Sequence, residues 1–188
     1  AVGAFRAGRT FEVSGTSGGL GFIASTPSEE PALGVAPHLL PDLFANLAPM
    51  SAAGASFRWA VQNLCRQEME EAREADISPY SLVEEEVSGL PPGPTGLVFL
   101  PYMEGERAPV WDGKARGVML GLTLATGRAE ILKAIMEGTG YALRQNLIIA
   151  RNSGQEIGAI RSCGGGSRSR TWSQLKSDIT DRPVVVFR

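Results

Sequence analysis

Ala159-Ile-Arg-Ser-Cys-Gly-Gly-Gly-Ser-Arg-Ser-Arg-Thr-Trp-Ser-Gln-Leu-Lys-Ser-Asp178 reads as a short strand, three consecutive glycines and then an amphipathic helix. Glycine has no Cβ, so the backbone there can turn sharply and lie close to a flat or anionic ligand. Ser169 is placed to cap the helix, and Trp172, Leu175 and Ile179 fall three to four residues apart on one face. A helix start beside bare backbone suits a phosphorylated or aromatic ligand. A tight strand-to-helix turn uses the same residues with no ligand at all.

Working outward, Ile157 to Cys163 leads into this motif and Arg182-Pro-Val-Val-Val186 supplies a last strand. The segment from Glu130 to Arg151 is helical, with Leu132, Ile135, Met136, Leu143 and Leu147 as its apolar stripe. Gly138 and Gly140 inside it each cost about 1 kcal/mol against alanine. They imply close packing against another backbone or a ligand. Strand–helix–strand–helix–strand order over this half indicates an α/β layer structure.

Before it, Gly96 to Leu100 is expected as a buried strand, and Pro101 to Asp112 as a long loop mixing charge with aromatics. Glu104 and Glu106 could form a carboxylate pair. Alternatively, Glu106 or Asp112 pairs with Arg107 or Arg116 and simply holds the loop. Gly54-Ala-Ser56 opens a helix with Phe57, Val61 and Leu64 at helical spacing and Ser56 as its expected cap. The acidic run from Glu68 to Asp76 reads as a solvated face. Ser78-Pro79 starts a further helix through Val87, with proline at the tolerated first position.

At the other end, Thr10 to Val13 alternates as a strand, Ser14-Gly-Thr-Ser-Gly-Gly19 turns it, and Leu20 to Ala24 returns as a second strand. Such a tip offers consecutive N–H groups and hydroxyls to a phosphate, or is a plain hairpin turn. It is not a Walker loop, since no lysine follows the glycines. Residues 26–49 are Pro-rich, and loops, short strands and a contact with a partner domain are expected there. His38 is expected to be a structural hydrogen-bonding residue.

Bulk properties narrow the function. With 188 residues and 43% hydrophobic content, the chain can bury one sizeable core. A net charge of −2 provides no basic face for nucleic acid or an anionic membrane. His38 is the single histidine, which excludes any multi-histidine zinc site within these residues. Cys65 and Cys163 read as reduced thiols of a cytoplasmic protein, with no secretory leader or spanning segment in view. Both ends look cut, as in part of a longer protein.

The glycine-centred sites at Gly15, Gly54 and Gly165–Gly166 lie on separate elements, unlike a dinucleotide fingerprint. This arrangement resembles the ribonuclease H-like nucleotide lobe of the actin, hexokinase and Hsp70 superfamily. More closely, residues 1–188 resemble the carboxy-terminal domain of FGGY carbohydrate kinases, in their xylulokinase-like branch. The resemblance rests on Ser14-Gly-Thr-Ser-Gly18, Leu97-Val-Phe-Leu-Pro-Tyr-Met-Glu-Gly-Glu-Arg-Ala-Pro109, Gly117-Val-Met-Leu-Gly-Leu-Thr-Leu124 with Glu130 to Glu137, and Cys163 to Trp172, in family order.

It implies an α/β ATP lobe, incomplete at both ends, of an enzyme that phosphorylates D-xylulose or a related ketose or polyol. Gly15, Thr16 and Ser17 would hold ATP phosphates, Gly54 and Arg58 would supply a helix-start contact, and Gly165, Gly166 and Ser167 would flank adenine and ribose. Arg170 stands where relatives often place an amide, so it would stack on the base or reach a phosphate. The catalytic aspartate is expected upstream of Ala1, on or near a missing amino-terminal sugar-binding domain. Mg²⁺ is the implied metal, a homodimer a common assembly, and the isolated lobe is expected to be inactive. A non-catalytic nucleotide-binding module of the same superfamily is the alternative.

Overall fold

The computed structural model describes residues 2–187. β1 (Arg9–Ser14), β2 (Gly18–Ala24), β3 (Gly34–Pro37) and β4 (Phe44–Met50) come first, then α1 (Ala53–Leu64), α2 (Arg66–Glu74) and α3 (Pro79–Ser88). β5 (Val98–Leu100), β6 (Val118–Leu120), α4 (Arg128–Asn152), β7 (Ile160–Cys163), α5 (Arg170–Thr180) and β8 (Val184–Val186) complete the chain. One 3₁₀ turn, Gly165–Arg168, joins β7 to α5.

The main sheet has six strands in the order β3-β4-β2-β1-β7-β8. β1, β2, β4 and β3 pair antiparallel, while β7 joins β1 and β8 joins β7 in parallel. The mixture follows from the connections. A short turn can only reverse the chain between β1 and β2, whereas β7 to β8 crosses over through α5. This placement sets the hairpin tip beside the glycine loop, because β1 and β7 are adjacent.

α4 is the central helix. Its Leu143, Leu147 and Ala150 pack on Leu20, Phe22, Ala48, Met50 and Ile160 of the sheet. Its Leu132, Ile135 and Met136 pack among Phe57 and Val61 of α1, Val83 and Val87 of α3, Phe99 and Trp172. Burying each such side chain contributes about 1.5–3 kcal/mol. Close packing explains the two helix glycines. A Cβ at Gly138 would lie 2.4 Å from the Phe99 carbonyl, and one at Gly140 would lie 2.7 Å from the Ile179 side chain.

Several expectations change. Ser56 does not cap α1; the helix begins one turn earlier at Ala52, and the buried Ser56 hydroxyl donates back to the Ala52 carbonyl at 2.5 Å. Leu64 is 37% exposed, because the chain bends at Cys65 into α2 and turns that position outward. The acidic run is more than a solvated face: Glu68 joins Glu86 in binding Arg128, which ties α2 and α3 to the start of α4. β5 belongs to a separate two-stranded ribbon with β6, so Phe99 is buried while Val98 is exposed.

On α5 the fully buried stripe is Trp172, Lys176 and Thr180, with Leu175 and Ile179 only half-buried. Ser169 does cap this helix, accepting from the Trp172 N–H at 3.0 Å. Both cysteines are free thiols, and burial pushes that of Cys65 up. His38 bonds the Ala4 carbonyl through Nε2 and accepts from the Leu40 N–H through Nδ1, a structural role. Among the described residues no helix is long and apolar enough to cross a membrane.

Candidate nucleotide cleft

A cleft of about 690 Å³ opens where β1, the starts of α1 and α5, and α3 meet. One wall is Ser14, Gly15 and Thr16 at the hairpin. A second is Gly54, Phe57 and Arg58 on α1, and a third is Gly165, Gly166 and Arg168 before α5. Three bends distant in sequence therefore share one space.

Local packing explains why. The Gly54 and Ala55 N–H groups donate to the Gly15 and Thr16 carbonyls at 3.0 and 2.9 Å, docking the hairpin on the first turn of α1. A Cβ at Gly54 would lie 2.4 Å from the Gly15 carbonyl oxygen, and only glycine permits that approach. Gly166 packs equally tightly, since its Cβ would lie 2.3 Å from the Ser14 hydroxyl oxygen. Gly165 differs: a Cβ there meets nothing within 4 Å. Gly54 and Gly166 build the cleft, and Gly165 leaves room in it.

The cleft is polar at one end and apolar at the other. Among the described residues neither Arg58 nor Arg168 forms an ion pair, and no internal hydrogen bond takes the Thr16 N–H. Glu84 is the one acid in the lining, and it is engaged: its Oε1 accepts from the Ser169 hydroxyl at 2.9 Å and the Thr171 N–H at 2.8 Å. A carboxylate already sits at the α5 N-terminus, where the sequence suggested a phosphorylated or aromatic ligand. An anion fits better beside Thr16 and Arg58. At the other end Phe57, Tyr80, Met136 and Trp172 offer apolar surface, with Phe57 and Trp172 ring centroids 5.2 Å apart.

Not every site residue read from the sequence reaches this cleft. Ser17 is exposed at the hairpin tip and lies outside its lining. Ser167 is buried and donates to the Gly164 carbonyl at 2.8 Å. With Arg170 it borders a neighbouring groove of about 1040 Å³ toward β8. Conversely, Tyr80, Ser81 and Glu84 line the cleft without having been singled out, and Ser14, which opens the hairpin motif but was given no ligand contact, joins them. The α3 residues carry no glycine signal, and only the tertiary fold brings them near.

The Pro101–Asp112 loop is a separate structure. Glu104 is exposed and Glu106 buried, so they form no carboxylate pair. Neither Glu106 nor Asp112 forms an ion pair with Arg107 or Arg116 among the described residues. The Glu106 and Asp112 backbones bond each other reciprocally at 2.9 Å. The Glu106 Oε1 accepts from the Ser51 and Arg107 N–H groups, and the Arg107 guanidinium donates to the Met50 carbonyl.

The mixed sheet, its helices and the glycine-walled cleft define a ribonuclease H-like lobe of the actin, hexokinase and Hsp70 superfamily. The family described as "FGGY family of carbohydrate kinases, C-terminal domain" matches residues 12–188, and the chain belongs to it. The chain is 31% identical over 187 residues to the gluconokinase of Bacillus subtilis, covering 98% of this chain and 36% of that protein. It is 34% identical over 142 residues to a xylulose kinase of Staphylococcus epidermidis, covering 76% of this chain and 27% of the relative. The solved xylulose kinase of Rhodospirillum rubrum superposes with a TM-score of 0.86 at 29% identity, over 98% of this chain and 36% of that one. The chain thus spans about a third of the length of these relatives.

Proposed function

We propose that the cleft holds ATP and that the full-length protein transfers its γ-phosphate to a hydroxyl of D-xylulose or a related ketose, sugar acid or polyol. The observation that carries this reading is the convergence of the bends at Gly15–Thr16, Gly54–Arg58 and Gly165–Gly166 on one cleft. Its two ends suit the two ends of a nucleotide. The free Thr16 N–H and the unpaired Arg58 face the phosphates, and the Tyr80, Met136 and Trp172 end receives the base. Ser17 would reach a phosphate by a small movement of the exposed tip. Ser167 supports the loop through Gly164, and Arg170 would act from the neighbouring groove.

Phosphoryl transfer is mostly positioning and charge stabilisation between lobes that close and exclude water. This lobe supplies the nucleotide half of that arrangement. The aspartate base and most sugar contacts are assigned to an amino-terminal domain, and a homodimer is the proposed assembly. Among the described residues no cluster of acidic, histidine or cysteine side chains could hold a metal, and Glu84 is already engaged. The residues present do not form a Mg²⁺ site, so none is assigned to the ion expected to accompany ATP. A cytoplasmic reaction is the proposed setting, a reading supported by the two free cysteines and the demand for ATP.

The test is phosphorylation by the full-length protein with ATP and Mg²⁺ across pentuloses, hexuloses, polyols and gluconate. Transfer to at least one acceptor is expected, and silence across the panel overturns the kinase reading. Gly165→Leu tests the cleft itself. A Cβ there meets nothing within 4 Å, so the variant should fold and lose ADP binding in calorimetric titration. Parent-like affinity would remove Gly165 from the nucleotide site.

A further inference from the structure

β1 enters the hairpin through a buried carboxylate. Glu12 is 2% exposed and its partner, Lys176 of α5, is 1% exposed. Burying two charges costs desolvation that their attraction often fails to recover, so such a pair is weak evidence for stability. Its geometry points toward the cleft. The Lys176 ammonium lies 2.6 Å from Glu12 Oε1 and 2.8 Å from Ser14 Oγ, and 4.9 Å from the centre of the Trp172 ring. The second Glu12 oxygen accepts from the Ser162 hydroxyl at 2.5 Å. The pair is neutral in sum but oriented, with its positive end against Ser14.

An ammonium can only donate, so Ser14 Oγ is the acceptor in that bond and keeps its own hydrogen. Among the described residues no acceptor takes that hydrogen. Ser14 belongs to the cleft wall, wedged against Gly166 and two residues before the free Thr16 N–H. A hydroxyl that accepts from a cation is a stronger donor in turn.

We propose that Ser14 donates a hydrogen bond to a phosphate oxygen of the bound nucleotide, and that Lys176, anchored by Glu12, is the positioning residue that orients and polarises it. This rests on the nucleotide reading of the cleft and adds a donor to it. The sequence marked neither Glu12 nor Lys176 for this role. Glu12 sits at a strand position whose neighbours are apolar, and Lys176 resembles an ordinary solvated helix residue until β1 is placed opposite.

The experiment compares ADP with adenosine, which share the base and ribose but differ in phosphates. Two variants of the full-length protein are titrated: Ser14→Ala, and the double variant Glu12→Leu with Lys176→Leu. Removing both charges together avoids leaving one buried and unpaired. Each variant is expected to weaken ADP about tenfold, the scale of one charge-assisted hydrogen bond, and to leave adenosine affinity unchanged. ADP binding equal to the parent's in Ser14→Ala overturns the proposal, even if the double variant fails to fold. Equal loss of ADP and adenosine, with a lowered melting temperature, also overturns it, because the network would then be structural. A parent protein that binds neither ligand overturns the nucleotide reading instead.

Discussion

The hairpin at Ser14–Gly18 and the loop at Pro101–Asp112 look alike in sequence, each mixing glycine with polar side chains, and the fold treats them oppositely. The loop satisfies most of its own groups, the buried Glu106 Oε2 being the exception: the Ala108 N–H donates to the Pro49 carbonyl, the Trp111 indole to the Ala32 carbonyl, and the Glu106 and Asp112 backbones bond each other. The hairpin gives two carbonyls to α1 but leaves the Thr16 N–H and the Ser14 hydroxyl hydrogen open beside a cleft. Residue type marks where polar chemistry is concentrated. Where each donor and acceptor ends up decides whether that chemistry faces inward or toward a ligand.

The largest expected effect breaks the loop. Glu106→Ala strips the Ser51 and Arg107 N–H groups of their carboxylate and should destabilise the protein by about 3 kcal/mol in urea unfolding. Adenine-nucleotide affinity should stay at the parent value under conditions where the variant is folded. Unchanged stability with lost ADP binding would reverse the assignment of the two loops.

The same contrast separates adjacent glycines. Gly166→Ala drives a Cβ toward the Ser14 hydroxyl and should cost about 1–3 kcal/mol. Gly165→Ala meets open space and should fall within about 0.5 kcal/mol of the parent. Equal costs at the two positions would contradict the packing described for the loop. A still smaller change separates binding from folding at the hairpin. Thr16→Val keeps shape at an exposed position, so the unfolding midpoint should hold while ADP affinity falls about tenfold. Retained affinity would mean that the Thr16 hydroxyl is not a phosphate ligand.

The α/β class, the α4 helix, the Ser169 cap and the three glycine bends were legible because each depends on local chemistry: periodicity, a capping hydroxyl, a missing Cβ. What escaped was set by long-range partners. Lys176 is buried only because Glu12 lies across from it on β1, a pairing 164 positions apart in sequence. Glu84 reaches the α5 N-terminus only after α3 folds over it. Gly54 and Gly166 drew attention as ligand contacts, whereas their missing Cβ atoms first serve the hairpin itself. A glycine signal reports close approach, and the approaching group can be the protein's own backbone or side chain.

The smallest effect sharpens the loop side through a titration. Tyr102 sits beside Glu106, and its phenol is pushed above the ordinary value of 10.0, first by burial and second by the Glu106 carboxylate. In the unfolded chain the phenol ionises near 10.0, so its contribution to stability is full below that pH and declines as pH rises above it. Glu106→Gln removes the neighbouring charge but keeps the burial. Tyr102 should then ionise at a lower pH than in the parent, still above the ordinary value, and the alkaline loss of stability should be shallower. Ultraviolet difference titration against a Tyr102→Phe control reads this directly. Thr16→Val, on the hairpin, should leave that titration where it is. A curve moved by the hairpin variant and not by Glu106→Gln would place the carboxylate away from the phenol and dissolve the distinction between the two loops.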